Sequence, residues 1–330
     1  MEITEFDSIS SFEENDLEEI LSSRFASDFG VSNDAFVSYR CKLLSSSLSQ
    51  KDKTSGYVAN AGGRCLGFIV VAFSQWDSGI LGFPIGKLLW FNTLPASEPE
   101  VATRLLDAAL SKAREWKVEC LITRIDYKQK NLIHLLENNG FRLMDISVAL
   151  GMASKKIALS SPSSGEQLIR TATIEDLPLL KKIAKTNFRY SHFHMDPRLS
   201  QTKSNDLFAC WIENDVKGRA DKVFLIEDKG NVAGFVTLNI DPNSQEALGF
   251  KIGEIDLLVI SAEYQGKGLG HALVLAGLEW LRPQVQFVEA RTQLMNHLAL
   301  NTFIKSQFQL LNSGIFLPSG VTLHGWLKEN

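Results

Sequence analysis

The chain has 330 residues, of which 45% are hydrophobic and 22% charged, and a formal net charge of −4 at pH 7. These values are typical of a globular protein of about two domains, and they give no reason to expect a nucleic-acid partner. No apolar run reaches the ~18 residues of a membrane span. No Lys or Arg precedes residue 20, so no secretory signal is predicted. The four scattered cysteines form no CxxC pair and predict reduced packing residues in a cytoplasmic protein: Cys41, Cys65, Cys120 and Cys210.

The first half of the chain alternates helices and strands. Hydrophobic residues at helical spacing predict the helices, and β-branched runs predict the strands. Residues 75–84 mix turn residues with large apolar ones and are predicted to be a loop. Helices are expected at residues 16–25, 35–48, 98–116 and 129–138, and strands at 56–61, 65–73, 87–92, 118–125 and 143–152.

The second half shows the same alternation after a Ser-rich stretch. Residues 154–166 hold five Ser, one Pro and one Gly, a composition typical of linkers. A polar and aromatic loop is expected at residues 189–200. Helices are expected at residues 173–186, 203–216, 269–280 and 296–306, and strands at 169–172, 222–227, 232–239, 252–260, 285–291, 308–316 and 321–328.

A strand, a turn and a helix stand out between Gly253 and Leu273. Residues 252–260 are apolar and β-branched and predict a buried strand. The turn at residues 264–270 contains three glycines. A glycine turn at the start of a helix leaves backbone N–H groups free to bind phosphate, because the helix dipole also favours negative charge there.

The two halves of the chain repeat each other at an offset of 167 residues. Arg291 then overlies Arg124 and Phe308 overlies Phe141, in a register that runs without a gap over residues 88–141 of the first copy. A repeat of domain size predicts two copies of one fold.

The glycine turn has no counterpart in the first copy. Residues 265–270 fall on residues 98–103, which are acidic and lack glycine, so the first copy is predicted to bind no phosphate ligand. We therefore predict an α/β chain with mixed sheets. Its expected parts are a degenerate first domain at residues 1–153, the linker at 154–166 and a catalytic domain at 167–330.

Two motifs of the second half resemble those of the Gcn5-related N-acetyltransferases (GNAT). The turn QGKGLG at residues 265–270 follows a strand and resembles the Gln/Arg-x-x-Gly-x-Gly/Ala signature of that family. Asn296, Ala299 and Phe303, followed by Phe308, resemble its second block, Asn-x-x-Ala-x-x-x-Tyr-x-x-x-Gly-Phe. The resemblance implies two tandem acyl-CoA N-acyltransferase domains, the first of them degenerate.

A closer resemblance spans nearly the whole chain. Trp76-Asp77-Ser78 with Leu81-Gly82, the stretch FRYSHFHMDP at residues 188–197 and the stretch WIEN at residues 211–214 look like the dTDP-fucosamine acetyltransferases. That resemblance implies acetyl transfer to the amino group of a dTDP-linked 4-amino-4,6-dideoxygalactose. Relatives with the same motifs can take other acceptors. The resemblance therefore supports the identity of the cosubstrate more strongly than that of the acceptor.

The family resemblance implies that acetyl-CoA is the cosubstrate. Its diphosphate would bind the backbone N–H groups of the glycine turn, with Lys267 adding positive charge, and its pantetheine arm would pair with the strand before the turn. Asn296 would bind that arm, cap its own helix, or do both. The implied cofactor-binding residues are Leu258, Val259, Ile260, Gln265, Gly266, Lys267, Gly268, Leu269, Gly270, Asn296 and Phe303.

A carboxylate near the strand is expected to act as the general base, because only a neutral amine can attack a thioester. Glu254 is the first candidate, since several family members place a glutamate there. Asp256 is the second, on the same strand face unless a β-bulge changes the alternation. The alternative is that both carboxylates are solvated or pair with Lys251.

The tyrosine that protonates the leaving thiolate in the family is missing, because Phe303 stands at its position. A thiol of pKa ~8.5 can leave as the thiolate unassisted. Other candidate acids are Tyr264, His297 and His324, each with a structural role as the competing interpretation. A third interpretation of Phe303 is that the chain binds acetyl-CoA without efficient catalysis.

The acceptor is expected at the loop between the first two helices of the second copy. Aromatic, His and Arg side chains there suit a nucleotide sugar. A metal is not expected, because His192, His194 and Asp196 are too close in sequence to ligate together without a fourth group. Trp76 and Asp77 either complete the acceptor pocket or serve packing. The candidate substrate-binding residues are Arg189, Tyr190, His192, His194, Trp76 and Asp77.

The sequence thus predicts an N-acetyltransferase for a primary amine of a small molecule, with a nucleotide-linked amino sugar as the leading acceptor. The alternatives are a protein or peptide N-acetyltransferase and a non-catalytic acetyl-CoA-binding protein. No nucleic-acid or membrane partner is expected. A monomer and a homodimer both remain open.

Overall fold

The computed structural model describes residues 1–12, 14–21, 31–49, 53–94, 97, 99–156, 167–311 and 320–327. Its contacts divide the chain into two compact units. The first comprises Met1–Asp145 with Gly320–Asn330, and the second comprises Ile146–Ser319. The sequence-based boundary at residue 153 differs from this division, because residues 146–153 pack with the second unit and the chain end packs with the first.

The first unit has a six-stranded sheet among its described residues, in the order β1-β2-β3-β4-β5-β13. Only β4 and β5 run parallel; the other neighbours are antiparallel. The strands are β1 Glu2–Phe6, β2 Thr54–Ala61, β3 Arg64–Phe73, β4 Ile85–Thr93, β5 Cys120–Ile125 and β13 Gly320–Trp326, and the helices are α1 Glu14–Leu21, α2 Asn33–Leu48, α3 Gln75–Leu81, α4 Pro99–Glu115 and α5 Lys130–Asn138.

Helix α4 supplies much of the core of the first unit. Its Leu105, Leu106 and Ala109 are fully buried against the sheet residues Ile69 and Leu121. Their spacing of three and four places them on one face of the helix. The 3.6-residue pattern of the sequence therefore predicted this helix and its buried face.

The second unit repeats the sheet order as β7-β8-β9-β10-β11-β6, with the short β12 paired to β6. Strands β10 and β11 are parallel and the other neighbours antiparallel. The strands are β6 Phe141–Ala153, β7 Gln167–Thr171, β8 Lys222–Asp228, β9 Asn231–Ile240, β10 Ile252–Ile260, β11 Phe287–Gln293 and β12 Gln309–Leu310, and the helices are α6 Leu177–Asn187, α7 His192–Met195, α8 Gln201–Asn214, α9 Ser244–Leu248, α10 Leu269–Leu281 and α11 His297–Lys305.

The sequence repeat is confirmed by the bounds of these elements. An offset of 167 carries β4 onto β10 and α5 onto α11 at both ends. It also carries Gly82 onto Gly249, and both glycines end a short helix with a positive φ, 88° and 76°. The sixth strand of each sheet is exchanged: β13, from the end of the chain, completes the first, and β6 completes the second.

Several local predictions need correction. Most of residues 75–84 form helix α3. The Ser78 hydroxyl donates to the Ser74 carbonyl at the start of this helix, and Gly82 ends it. The loop at 189–200 contains the short helix α7. The strand expected from residue 285 begins at Phe287. Strand β1 and helix α9 were not predicted.

Some predicted segments lie outside the described residues. These are most of the linker, the end of the helix expected at 16–25, and residues 312–316 of the strand expected at 308–316. Among the residues that are described, no helix combines the length and the apolar character of a membrane span.

Candidate active site

Strand β10 carries a β-bulge and then separates from β11. It pairs with β11 over Ile252–Ile255, whereas its pairing with β9 extends from Gly253 to Ile260 with one interruption. The register with β9 shifts between Ile255 and Leu258. Within the bulge, the Leu257 N–H donates to the Thr237 hydroxyl at 3.0 Å. The described part of β10 beyond Ile255 therefore has one paired edge, and its other edge can accept an extended ligand.

The bulge also changes which side chains face helix α10. Ile255 is buried in the core under that helix, and Leu258 and Ile260 pack against the same core. An odd spacing between Ile255 and Leu258 on one face is possible only because the bulge inserts a residue. Glu254 precedes the bulge and Asp256 lies in it.

The glycine turn leads directly from β10 into α10. Gly266 and Gly268 have φ of 79° and 82°, and a Cβ at either would meet open space. The first hydrogen bond at the helix start runs from the Ala272 N–H to the Gly268 carbonyl at 3.1 Å. The N–H groups of residues 269–271 therefore have no intrahelical acceptor, which makes this end suitable for a diphosphate.

Side chains around the turn are held in place. The Gln265 amide donates to the Ile260 carbonyl at 2.9 Å, which fixes the turn to the end of β10. The Lys267 ammonium lies 3.1 Å from Asp228 and 4.9 Å from the centre of the Tyr264 ring. Lys267, predicted to add charge for a diphosphate, is thus engaged by a carboxylate from β8.

Glu254 lies in a cluster of charged groups inside the sheet. It is 9% exposed and opposite Asn239 on β9 and Glu289 on β11. Burial raises the pKa of Glu254 well above its ordinary value, and the charges of Asp256 and Glu289 add to the effect, while Arg291 and a hydrogen bond from Asn239 oppose it. A carboxylate with a raised pKa can take a proton from an ammonium group more readily.

Asp256 is held from one side by the end of α8. Its Oδ2 accepts the Trp211 indole N–H at 3.2 Å and an Arg219 guanidinium N–H at 2.8 Å. Burial raises the pKa of Asp256, against the lowering effect of Arg219 and Arg291. Arg219 also donates to Asp215, and burial raises the pKa of Asp215 to about 6.

The second motif block is part of the fold around the turn. The Asn296 side chain caps α11 by accepting the Ala299 N–H at 3.2 Å, so the capping role of Asn296 is confirmed. Phe303 is 3% exposed and packs edge-on against Phe308, with ring centres 5.3 Å apart. Phe303 is therefore a core residue of the second unit.

The three other candidate acids occupy different places. Tyr264 lies in the turn beneath Lys267. His297 is exposed at the start of α11. His324 is fully buried in β13 of the first unit, opposite Ile122.

The loop expected to recognise the acceptor is built around a buried histidine. The ring nitrogens of His194 lie 2.7 Å from the Ser191 hydroxyl and 2.9 Å from the Asn205 side-chain oxygen. Burial lowers the pKa of His194. Arg189 and Tyr190 are exposed, and the ring of His192 lies 3.9 Å from the ring of its neighbour Phe193 at a tilt of 37°.

A surface groove of about 390 Å³ runs along this loop. Its lining combines cationic and amide side chains, which can bind phosphate and sugar hydroxyls. Within the described ranges, no group of three His, Cys, Asp or Glu side chains is arranged to hold a metal. The lining residues are Lys185, Thr186, Arg189, His194, Gln201 and Asn205.

Trp76 and Asp77 lie on α3 of the first unit. Asp77 is 1% exposed, forms an ion pair with Lys87 and accepts the Ser74 hydroxyl at 2.7 Å. These contacts favour the packing role for Asp77. The Trp76 side chain is 38% exposed.

Sequence reasoning missed several members of the charged cluster. Glu289 and Arg291 lie on β11, and Asp215 and Arg219 lie in a π-helical turn after α8. An acidic and a basic residue two positions apart inside a predicted strand, Glu289 and Arg291, were a usable signal. The distance of 37 residues between Arg219 and Asp256 left no local signal for their contact.

Part of the second unit matches a known protein family in sequence. The sequence model of the family described as "Acetyltransferase (GNAT) family" matches residues 182–306. A curated relative, the spore coat polysaccharide biosynthesis protein SpsD of Bacillus subtilis (strain 168), is 22% identical over 257 residues, which are 74% of this chain and 81% of that protein.

Two solved structures share the fold over nearly the whole chain. A GCN5-related N-acetyltransferase from Sphaerobacter thermophilus has a TM-score of 0.67 at 12% identity and covers 99% of this chain and 96% of its own. A tandem GNAT protein from the clavulanic acid biosynthesis pathway has a TM-score of 0.58 at 14% identity and covers all of both chains. At these identities the likeness shows the fold, and the fold is that of a tandem GNAT protein.

The matched residues include the β10 bulge, Glu254 and the glycine turn. Residues 182–306 of this chain are therefore a domain of the acetyltransferase (GNAT) family, a family of acyltransferases.

Proposed function

We propose that the second unit transfers an acetyl group from acetyl-CoA to a primary amine of a small molecule, and that a nucleotide-linked amino sugar is the acceptor. The observation that carries the proposal is the placement of Glu254, whose pKa is raised. Glu254 lies one residue before Ile255, where the pairing of β10 with β11 ends. A thioester lying along that open edge would lie within reach of a base on the same strand.

The residues around the turn fit a CoA molecule. The positive φ of Gly266 and Gly268 opens a cradle without side chains beside the N–H groups that start α10. The edge of β10 beyond Ile255, where the pairing with β11 has ended, offers backbone groups of Leu258 and Val259 to the amides of a pantetheine arm. Acetyl-CoA supplies the acetyl group as an activated thioester.

Each protein group then has a defined task. Glu254 accepts the proton that the acceptor amine must lose before its lone pair can form the new C–N bond. The N–H groups of residues 269–271 bind the diphosphate. Phe303 cannot donate a proton, so the C–S bond breaks with the sulfur leaving as thiolate, which a thiol pKa of ~8.5 permits.

The acceptor class is supported by the groove beside α6 and by the curated relative. Arg189 and Lys185 can bind phosphate, and Gln201 and Asn205 can bind hydroxyls or carbonyls. The relative SpsD is described as a polysaccharide biosynthesis protein. Together they favour an amino sugar that carries phosphate groups over a peptide amine.

A panel of amines tests the proposal, with free-thiol release from acetyl-CoA as the readout. The panel contains dTDP-4-amino-4,6-dideoxygalactose, the same sugar without nucleotide, glucosamine and a lysine peptide. Thiol release that is fastest with the nucleotide sugar supports the proposal. Release that is fastest with the peptide makes the chain a peptide acetyltransferase instead.

Calorimetric titration with CoA completes the test. If CoA binds and no amine on the panel releases thiol, the chain is a non-catalytic acetyl-CoA-binding protein and the proposal is wrong. Glu279→Gln, which removes one negative charge from the exposed face of α10, serves as the control variant in both assays.

A further inference from the structure

One oxygen of Asp256 is held by two groups that can only donate hydrogen bonds. The Trp211 indole and the Arg219 guanidinium both donate to its Oδ2, and neither can accept a proton at any ordinary pH. Such donors favour the ionised carboxylate and oppose the effect of burial, which raises the pKa of Asp256. Asp256 is therefore poorly placed to receive a proton from a substrate, although it lies only two residues from Glu254.

The last turn of α8 builds this arrangement. The chain after Asn214 forms a π-helical turn, Asp215–Arg219, in which Gly218 has a φ of 109°. The turn brings the Arg219 guanidinium 5.1 Å from the centre of the Trp211 ring, where the ring face attracts the cation. Asp215, 1% exposed, holds the other side of the guanidinium.

These contacts also hold the bulge. The side chain of Asp256 is tied to α8 and the backbone of Leu257 is tied to Thr237 on β9. Two neighbouring residues of the bulge thus have separate anchors. These anchors hold the backbone that follows Glu254.

We propose that Trp211, Arg219 and Asp215 form a clamp that keeps Asp256 as a fixed negative charge beside Glu254, so that Asp256 is a positioning residue and Glu254 alone receives the proton. The inference rests on the proposed function only for the identity of the base. The clamp itself rests on the contacts above.

The sign of the expected effect follows from the charges that face Glu254. Strand β11 contributes the charged residues Glu289 and Arg291, and β9 contributes the polar Asn239. Asp256 lies on the same strand as Glu254. The π-helical turn adds Arg219, which donates to Asp256, and Asp215, which accepts from Arg219. Removing the charge of Asp256 removes a repulsion that opposes ionisation of Glu254, so Glu254 should then lose its proton at lower pH.

The test is Asp256→Asn, in which the amide oxygen can still accept from Trp211 and Arg219. The titration of the Glu254 carboxyl is followed by ¹³C NMR in glutamate-labelled protein, with Glu254→Gln used to assign its signal. We expect the midpoint to fall by about one pH unit or more. An unchanged or higher midpoint would overturn the clamp.

A rate profile with the best amine of the panel gives a second readout. The rising limb of log kcat/KM against pH should move to lower pH together with the NMR midpoint. Loss of activity at every pH in Asp256→Asn, together with retained activity in Glu254→Gln, would make Asp256 the base and overturn the inference.

Two controls separate the possible failures. Asp256→Ser is a second neutral variant in case the amide distorts the bulge, and the same downward shift is expected from it. Glu279→Gln should leave the midpoint unchanged. If no amine is acetylated at all, the proposed function fails while the NMR titration still decides whether the clamp acts on Glu254.

Discussion

The two units of this chain share a framework and differ in a handful of site residues. Both sheets have six strands in the same order with one parallel pair. Both carry a bulge at the same place: in β4, Leu89 is the extra residue opposite β3, and the offset of 167 carries it onto Asp256. The bulge thus belongs to the framework, and the chemistry depends on the side chains placed around it.

The same strand position has opposite charges in the two units. Glu254 corresponds to Lys87, which forms an ion pair with the buried Asp77. In the first unit the position therefore contributes to a structural pair, whereas in the second it holds a buried carboxylate near other carboxylates.

The helices after the two strands begin differently. Helix α4 starts at Pro99 with Glu100 in its first turn, while α10 follows Gly268 in a left-handed conformation. A carboxylate near a helix N-terminus occupies the region where a phosphate would bind. The first unit therefore shares the packing of the second and lacks the left-handed glycine turn that we propose as the ligand site.

The largest effect is expected from Glu254→Gln, which removes the carboxylate that the first unit also lacks. Acetyl transfer should fall roughly 10²–10⁴-fold, the usual contribution of a general base. Steady-state kinetics with the best acceptor measures the loss, and calorimetry should show unchanged CoA binding. A rate within a few-fold of wild type would show that Glu254 is not the base.

A smaller effect is expected from Gly268→Val, which installs the residue that the first unit has at this position, Val101. The φ of 82° at Gly268 strains any residue with a Cβ by roughly 1–2 kcal/mol. CoA affinity should fall at least about tenfold, or ~1.4 kcal/mol.

The matched control for this change is Gly270→Ala. A Cβ at Gly270 would meet Ile260 at 3.5 Å and Thr302 at 3.7 Å, which is ordinary contact. Its CoA affinity should stay within a few-fold of wild type in the same calorimetric titration. Equal losses in both variants would contradict a role for the left-handed turn.

The third prediction concerns pH. Because burial raises the pKa of Glu254, the rising limb of kcat/KM should have its midpoint well above ~4.3, the value of an ordinary glutamate. A raised carboxyl pKa also means that folding stability contributed by this group is lost as pH rises from the unfolded pKa through the folded one.

Stability measurements give an independent check on that sign. The free energy of unfolding of Glu254→Gln, relative to wild type, should increase between acid and neutral pH. Urea unfolding at several pH values measures it. A relative stability that decreases with pH would mean that Glu254 is ionised in the folded protein at low pH.

The smallest effect on rate is expected from Phe303→Tyr. Its ring is packed in the core against Phe308, so an added hydroxyl gains no access to the thioester and costs about 1–3 kcal/mol of stability if it finds no partner. The rate should stay within a few-fold of wild type while the melting temperature falls. A large rate increase would show that a missing acid limits catalysis.

The repeat and the glycine turn were predictable because both are local. Apolar spacing predicted α4 and α10, and a fixed offset aligned their surrounding strands before any contact was known. The turn at 265–270 was identifiable since only glycine adopts its positive φ without strain. Helix α3 was mispredicted as a loop, because its capping depends on contacts with the start of β4.

The sequence by itself determined the duplicated fold and the glycine turn, because backbone conformation and strand burial depend on nearby residues. Glu254 became a candidate base through the resemblance of the motifs to the acetyltransferase family. Tertiary structure alone decided the rest. The exchange of β6 and β13, the burial that raises the pKa of Glu254, and the clamp of Trp211 and Arg219 on Asp256 join residues that are distant in sequence. Electrostatic interactions and burial depend on distances in the folded chain, and a local sequence pattern does not show which distant side chains come into contact.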